Sequence, residues 1–169
     1  MLESAESATA LYDNCGREFS MGLGARLKKA RASNQEYDTV VILTGTNDLG
    51  RIFGDTHFPS EASPEDIAER IRQLHSVCYE NGIQQTFLLT VPPSTFSKTD
   101  DSRRAALNAL LRNFCACEAK ARLIDLDLVQ LELDSDGLHL SEQGYDAMES
   151  PSAWSSIQLL PAMKRSNYL

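Results

Sequence analysis

A three-layer α/β/α sandwich built on a parallel sheet is the fold this sequence predicts, on three observations. Three short apolar runs, residues 39–43, 86–91 and 122–126, are continuous rather than alternating, as strands buried on both faces are. Segments of helical periodicity separate them, and strand–helix alternation is the pattern of a sheet with helices on its faces. The chain has 169 residues, 42% hydrophobic and 24% charged, which suits one domain spanning 1–169 around a single core.

The elements follow in order. Residues 1–10 carry early acids and no long apolar run, so they read as neither a secretory signal nor a membrane anchor and are expected to be disordered. A helix over 21–32 places Leu23 and Leu27 on one side. After the first strand, Ser63 is the expected N-cap of a second helix, with Pro64 in its first position. That helix carries Ile67, Ile71, Leu74 and Cys78 on one face and stops at Asn81-Gly82. His75 falls within it and reads as structural. A third helix over about 99–119 sets Leu107, Leu110, Leu111 and Phe114 in register, and a last one begins near Ser141.

Composition narrows the function. A net charge of −8 and a pI near 4.8 argue against nucleic acid or an anionic membrane as partner. Lys28-Lys29 and Arg103-Arg104 read as isolated pairs on solvated helix faces. No segment has the length and apolarity to span a bilayer, and the expected compartment is the cytoplasm. Of the four cysteines, Cys115-x-Cys117 lacks the C-x-x-C spacing of a zinc ribbon and no histidine follows at finger spacing. All four are expected to be reduced thiols.

In parallel α/β folds the functional groups collect beyond the carboxyl ends of the strands. Three segments qualify: Thr44-Gly45-Thr46-Asn47-Asp48, Pro92-Pro93-Ser94, and the stretch ending at His139. Asp136 lies three residues before His139, a spacing that lets a carboxylate orient an imidazole as a general base. Each piece alone has a plain reading: Asn47 and Asp48 as turn residues, Asp136 as a helix cap. On spacing alone, Asp134, Asp136 and His139 are also a candidate metal triad.

Taken together the segments resemble the SGNH hydrolase family, the GDSL esterases and lipases. Residues 41–48, Val-Ile-Leu-Thr-Gly-Thr-Asn-Asp, look like the family's third block, which implies that Asn47 donates to the oxyanion. Asp136-Gly137-Leu138-His139, with Gly144-Tyr145 following, looks like the last block, which makes His139 the base and Asp136 its orienter. Asn14-Cys15-Gly16 resembles the second block, whose glycine amide, here Gly16, completes the oxyanion hole. The resemblance implies a flavodoxin-like sheet, no metal or cofactor, and cleavage of a small-molecule or lipid ester by a Ser-His-Asp mechanism. The residue types suit that chemistry. Fixed amide donors stabilise the charge that grows on the carbonyl oxygen, and losing one typically costs about 10²–10³ in turnover.

The family's first block, a strand ending in Gly-Asp-Ser with the nucleophile, has no counterpart here. Ser4 and Ser7 lack its strand and glycine. Gly54-Asp55-Thr56-His57 places a threonine in a similar motif but in the wrong order, and Ser20 reads as a helix cap. Ser94, after a double proline at a strand end, is the best-placed substitute. The expectation is therefore an N-terminally incomplete copy without the family's first strand, leaving the strand over 39–43 at an unpaired edge. Two functions stay open: an ester hydrolase, or a binding module that keeps the cleft without the nucleophile.

Overall fold

The computed structural model describes residues 22–49, 62–94, 101–137 and 139–150, apart from the side chains of Asn47 and Glu149. Gly16, Ser4, Ser7, Ser20, Thr56 and the expectation for residues 1–10 lie outside the described residues. Strands β1 (Thr39–Ile42), β2 (Gln85–Leu89) and β3 (Ala121–Ile124) form one parallel sheet in the order β1-β2-β3. Thr39 pairs with Gln85, and Thr86 with Ala121. Parallel neighbours need a crossover, and helices supply both. Helix α1 (Leu23–Ala32) precedes β1, and the single-turn α2 (Thr46–Leu49) follows it. Helix α3 (Pro64–Glu80) joins β1 to β2, α4 (Asp101–Cys117) joins β2 to β3, and α5 (Glu142–Glu149) is the last.

β2 and β3 are buried or half-buried on both faces, as their continuity predicts, but β1 leaves Val41 48% exposed and Leu43 just beyond it 40% exposed. Val40, Ile42 and Leu88 join Leu27 of α1, Ile67, Ile71 and Leu74 of α3, and Leu107 and Leu111 of α4. The alternate residues Phe87 and Leu89 join Ile124, Leu126, Val129 and Met148 of α5 on the other face. Leu88 and Leu89 thus feed opposite layers, the two-residue period of a strand. This is the three-layer α/β arrangement.

Local signals act where the sequence places them. Ser63 Oγ accepts the Asp66 amide at 3.1 Å while the Asp66 carboxylate accepts the Ser63 amide at 3.2 Å, a reciprocal capping box with Pro64 behind it. The helix ends at Asn81, and Gly82 takes the left-handed φ of 89° that lets the chain turn back. β2 and β3 are shorter than their apolar runs. The chain leaves β3 at Asp125, whose carboxylate accepts the Asp127 amide and starts a 3₁₀ turn over Leu126–Leu128.

His75 is fully buried in the α3 face of the core. Its Nδ1 lies 2.6 Å from Thr86 Oγ1, which also meets the Tyr79 hydroxyl at 2.8 Å, and Phe114 packs edge-on against the ring. Nε2 has no partner among the described residues, and burial pushes the imidazole down to about 4, so it sits neutral in the core. Cys78, Cys115 and Cys117 are free thiols; burial pushes Cys78 up to about 11 and Cys115 up to about 12, which holds both as protonated, unreactive groups. Among the described residues no helix is long and apolar enough to cross a membrane.

Candidate active site

The turn that carries His139 is closed by its own backbone. Leu133 and Leu140 form an antiparallel bridge, the Asp134 amide donates to the His139 carbonyl at 2.8 Å, and the Ser141 amide donates to the Glu132 carbonyl at 3.0 Å. Within this loop the Gly137 amide donates to the Asp134 carbonyl, and Gly137 adopts a φ of 67°, which glycine takes without strain. α5 then starts at Ser141, whose hydroxyl accepts the Gly144 amide. Gly144 is required by packing rather than by dihedral, since a Cβ there would collide with the Glu132 carbonyl oxygen.

This loop brings Asp136 and His139 together twice. The His139 amide donates to Asp136 Oδ1 at 2.9 Å, and His139 Nδ1 lies 2.5 Å from Asp136 Oδ2. An ionised carboxylate only accepts, so the proton sits on Nδ1 and the lone pair of the neutral ring is left on Nε2. The His139 side chain is 67% exposed and that of Asp136 43%, so the basic nitrogen stands on an open surface. The candidate metal triad is not assembled. Asp134 turns its carboxylate to the Ser135 amide, and among the described residues no three His, Cys, Asp or Glu side chains are grouped to hold an ion.

The loops after β1 and β2 meet beside each other. Gly45, at φ 108°, takes a conformation and a space that a side chain would contest: a Cβ there would lie 3.2 Å from Val91 and 3.3 Å from Leu107. Asn47 is the second residue of α2, a backbone position just past the end of β1; its side chain is outside the description. Asp48 beside it lies 3.7 Å from Arg70 of α3; burial raises its carboxyl, and the Arg70 charge partly offsets that. Ser94 lies in the loop after β2 and donates its hydroxyl to the Gly137 carbonyl at 2.8 Å, which joins this loop to the histidine turn. The structure therefore connects the segments after β2 and before His139 directly.

The supports of these loops were missed in the sequence. Arg104, Asn108 and Arg112 lie four residues apart along α4 and form one polar stripe beside the apolar Leu107 and Leu111. The fully buried Asn108 clamps Val91 on both sides, accepting its amide at 2.8 Å and donating to its carbonyl at 3.0 Å. Arg104 donates to the same carbonyl and to Asp127, and Arg112 holds Asp125 with two hydrogen bonds of 2.7 and 2.8 Å while also reaching Asp127. Burial works against the Asp127 charge, but the hydrogen bonds from Arg104 and Arg112 outweigh it and hold that carboxyl below its usual range. Arg103-Arg104 is accordingly not a solvated pair. Arg103 donates to the Leu49 carbonyl at 3.3 Å and the Ala62 carbonyl at 2.7 Å, and both arginines are half-buried because backbone carbonyls and acids receive them. The legible signal was the four-residue spacing of polar groups next to a core-facing pair.

The chain thus presents a parallel α/β sheet with an Asp–His turn past its last strand. Residues 8–147 match the GDSL-like lipase/acylhydrolase family, and the chain belongs to that family. No curated protein matches the sequence. Among solved structures, the chain is similar to a Streptococcus pneumonia protein assigned as a platelet activating factor, with a TM-score of 0.54 at 18% identity, covering 78% of this chain and 65% of that one. It is also similar to a Bacteroides fragilis NCTC 9343 protein assigned as an acylhydrolase, with a TM-score of 0.50 at 22% identity, covering 73% of this chain and 64% of that one. Both likenesses are of fold, and the chain spans about two thirds of the length of each.

Proposed function

We propose that this chain is a single SGNH-type domain that binds a small-molecule or lipid ester beyond the carboxyl ends of its strands, with His139 as the general base for attack on the ester carbonyl. The observation that carries this reading is the contact of His139 Nδ1 with Asp136 Oδ2 at 2.5 Å, which leaves the Nε2 lone pair on an exposed ring. In this reading Nε2 takes the proton of the attacking O–H and later returns it to the departing alkoxide, while Asp136 stabilises the imidazolium between the two steps. Asn47 and the Gly16 amide are the proposed oxyanion donors, and no metal or cofactor enters the step.

A second reading, a binding module that holds the ester without cleaving it, is favoured by one sequence fact: no Gly-Asp-Ser occurs in the 169 residues. Hydrolysis of p-nitrophenyl acetate separates the two. The hydrolase reading expects release of p-nitrophenol that falls at least about 100-fold in His139→Ala, within the range a positioned general base contributes. A burst and a fluorophosphonate adduct, both lost in that variant, identify covalent catalysis; burst-free, His139-dependent release identifies attack by water. Wild type and variant releasing product equally leave the binding module.

A further inference from the structure

We propose that Ser94 is a positioning residue for the His139 turn, acting through the Gly137 carbonyl. The hydroxyl donates to that carbonyl at 2.8 Å, across 43 residues of sequence. Ser94 is itself held on a rigid mount. Asn108 binds both the amide and the carbonyl of Val91, Arg104 adds a second bond to that carbonyl, and Pro92 and Pro93 fix the two backbone φ angles between Val91 and Ser94. Rigidity thus passes from the buried face of α4, through Val91 and two prolines, to a hydroxyl that pins one peptide of the base-bearing loop.

The loop needs such a pin. His139 is 67% exposed, so packing gives its ring little orientation, and its side-chain partner Asp136 belongs to the same loop. Asp136 therefore fixes the ring relative to the turn, whereas a bond from outside the turn fixes the turn relative to the sheet. Gly137 lies between the two, at a φ of 67° that leaves the backbone permissive. The Ser94 hydrogen is committed to a carbonyl, which separates this role from that of a substitute nucleophile, whose proton must pass to Nε2.

The catalytic consequence rests on the reading of His139 as a base, but the positioning itself does not, so the test reads amide exchange first. In the ¹⁵N-labelled full chain, Ser94→Ala is expected to raise exchange of the Asp134 and His139 amides about fivefold, the effect of one ordinary hydrogen bond, and to leave the core amides of Leu88 and Leu111 unchanged. Ser94→Thr keeps the hydroxyl and restores both rates. Ser94→Cys, a weaker donor, gives an intermediate rise and serves if the alanine variant does not fold. Where p-nitrophenyl acetate is turned over, kcat falls about tenfold in Ser94→Ala while KM stays, because geometry of the base and not substrate affinity is lost. Loosened turn amides in a chain that hydrolyses nothing support the positioning and remove only the hydrolase reading. Unchanged turn amides, an equal rise in the core amides, or a fluorophosphonate adduct on Ser94 would overturn the assignment.

Discussion

His75 and His139 show how one residue type takes opposite roles from its surroundings. His139 is on the surface against a carboxylate; His75 is fully buried, with Thr86 on one nitrogen and, among the described residues, no partner on the other. The unfolded chain protonates such a ring near 6.5, but the folded core does so only near 4. Between those values the unfolded state binds more protons, so stability rises with pH there. The contribution of the neutral ring is fully present above pH 6.5 and is lost as pH falls towards 4, amounting to about 3 kcal/mol over that window. Urea unfolding of His75→Leu between pH 7 and 4 is expected to lack this slope, so that the wild type's advantage shrinks on acidification; parallel curves would refute it. The same contrast marks what single residues disclose in a sequence. Asp136 and His139 were legible because their partnership spans three positions and is set by one turn. The Asn108–Val91 and Arg112–Asp125 contacts span 17 and 13, and no local pattern announces which carbonyl or carboxylate a side chain will reach.

At the scale of elements, α4 does more than supply a hydrophobic face. Its polar stripe ties the ends of β2 and β3 into one frame, since Arg112 grips Asp125 just past β3 while Asn108 grips Val91 just past β2. Asn108→Leu keeps the branched shape and removes the clamp. The Val91 carbonyl retains Arg104, but its buried amide loses its only acceptor among the described residues. An orphaned buried N–H costs about 1–3 kcal/mol, and the urea midpoint of this variant is expected to fall accordingly. A midpoint unchanged from wild type would show that the frame is held elsewhere. The helix starts and stops could be read directly, because capping by Ser63 and reversal at Gly82 depend on residues within one turn. The strand ends could not. The apolar runs continue through Val91 and Leu126, but Asn108 and the side chain of Asp125 take over the backbone groups that a longer ladder would have used.

For the molecule as a whole, the layered architecture was carried by the sequence because continuous apolar runs need helices on both sides to bury them, and β2 and β3 follow that rule while Val41 and Leu43 at β1 stay exposed. Charge is the other global quantity, and it bears on which esters reach the site. The chain carries −8 overall, and the His139 turn adds the exposed acids Glu132, Asp134 and Asp136 close to the proposed base. A negative field at the mouth of a site repels anionic substrates over roughly the Debye length, about 10 Å at 0.1 M salt, and leaves neutral ones untouched. The proposed hydrolase should therefore favour neutral esters. Its KM for an anionic acyl ester should fall several-fold as salt rises from about 20 to about 200 mM, because screening shortens that length about threefold, while KM for a neutral ester of equal chain length stays constant. Steady-state kinetics at the two salt concentrations make the comparison, with Asp134→Asn as the local probe. That variant should weaken the salt dependence for the anionic ester without changing kcat for the neutral one, since Asp134 adds charge near the turn and, among the described residues, its carboxylate contacts only the neighbouring Ser135 amide. Equal salt responses for both esters would mean that the field of the whole molecule does not extend to the site.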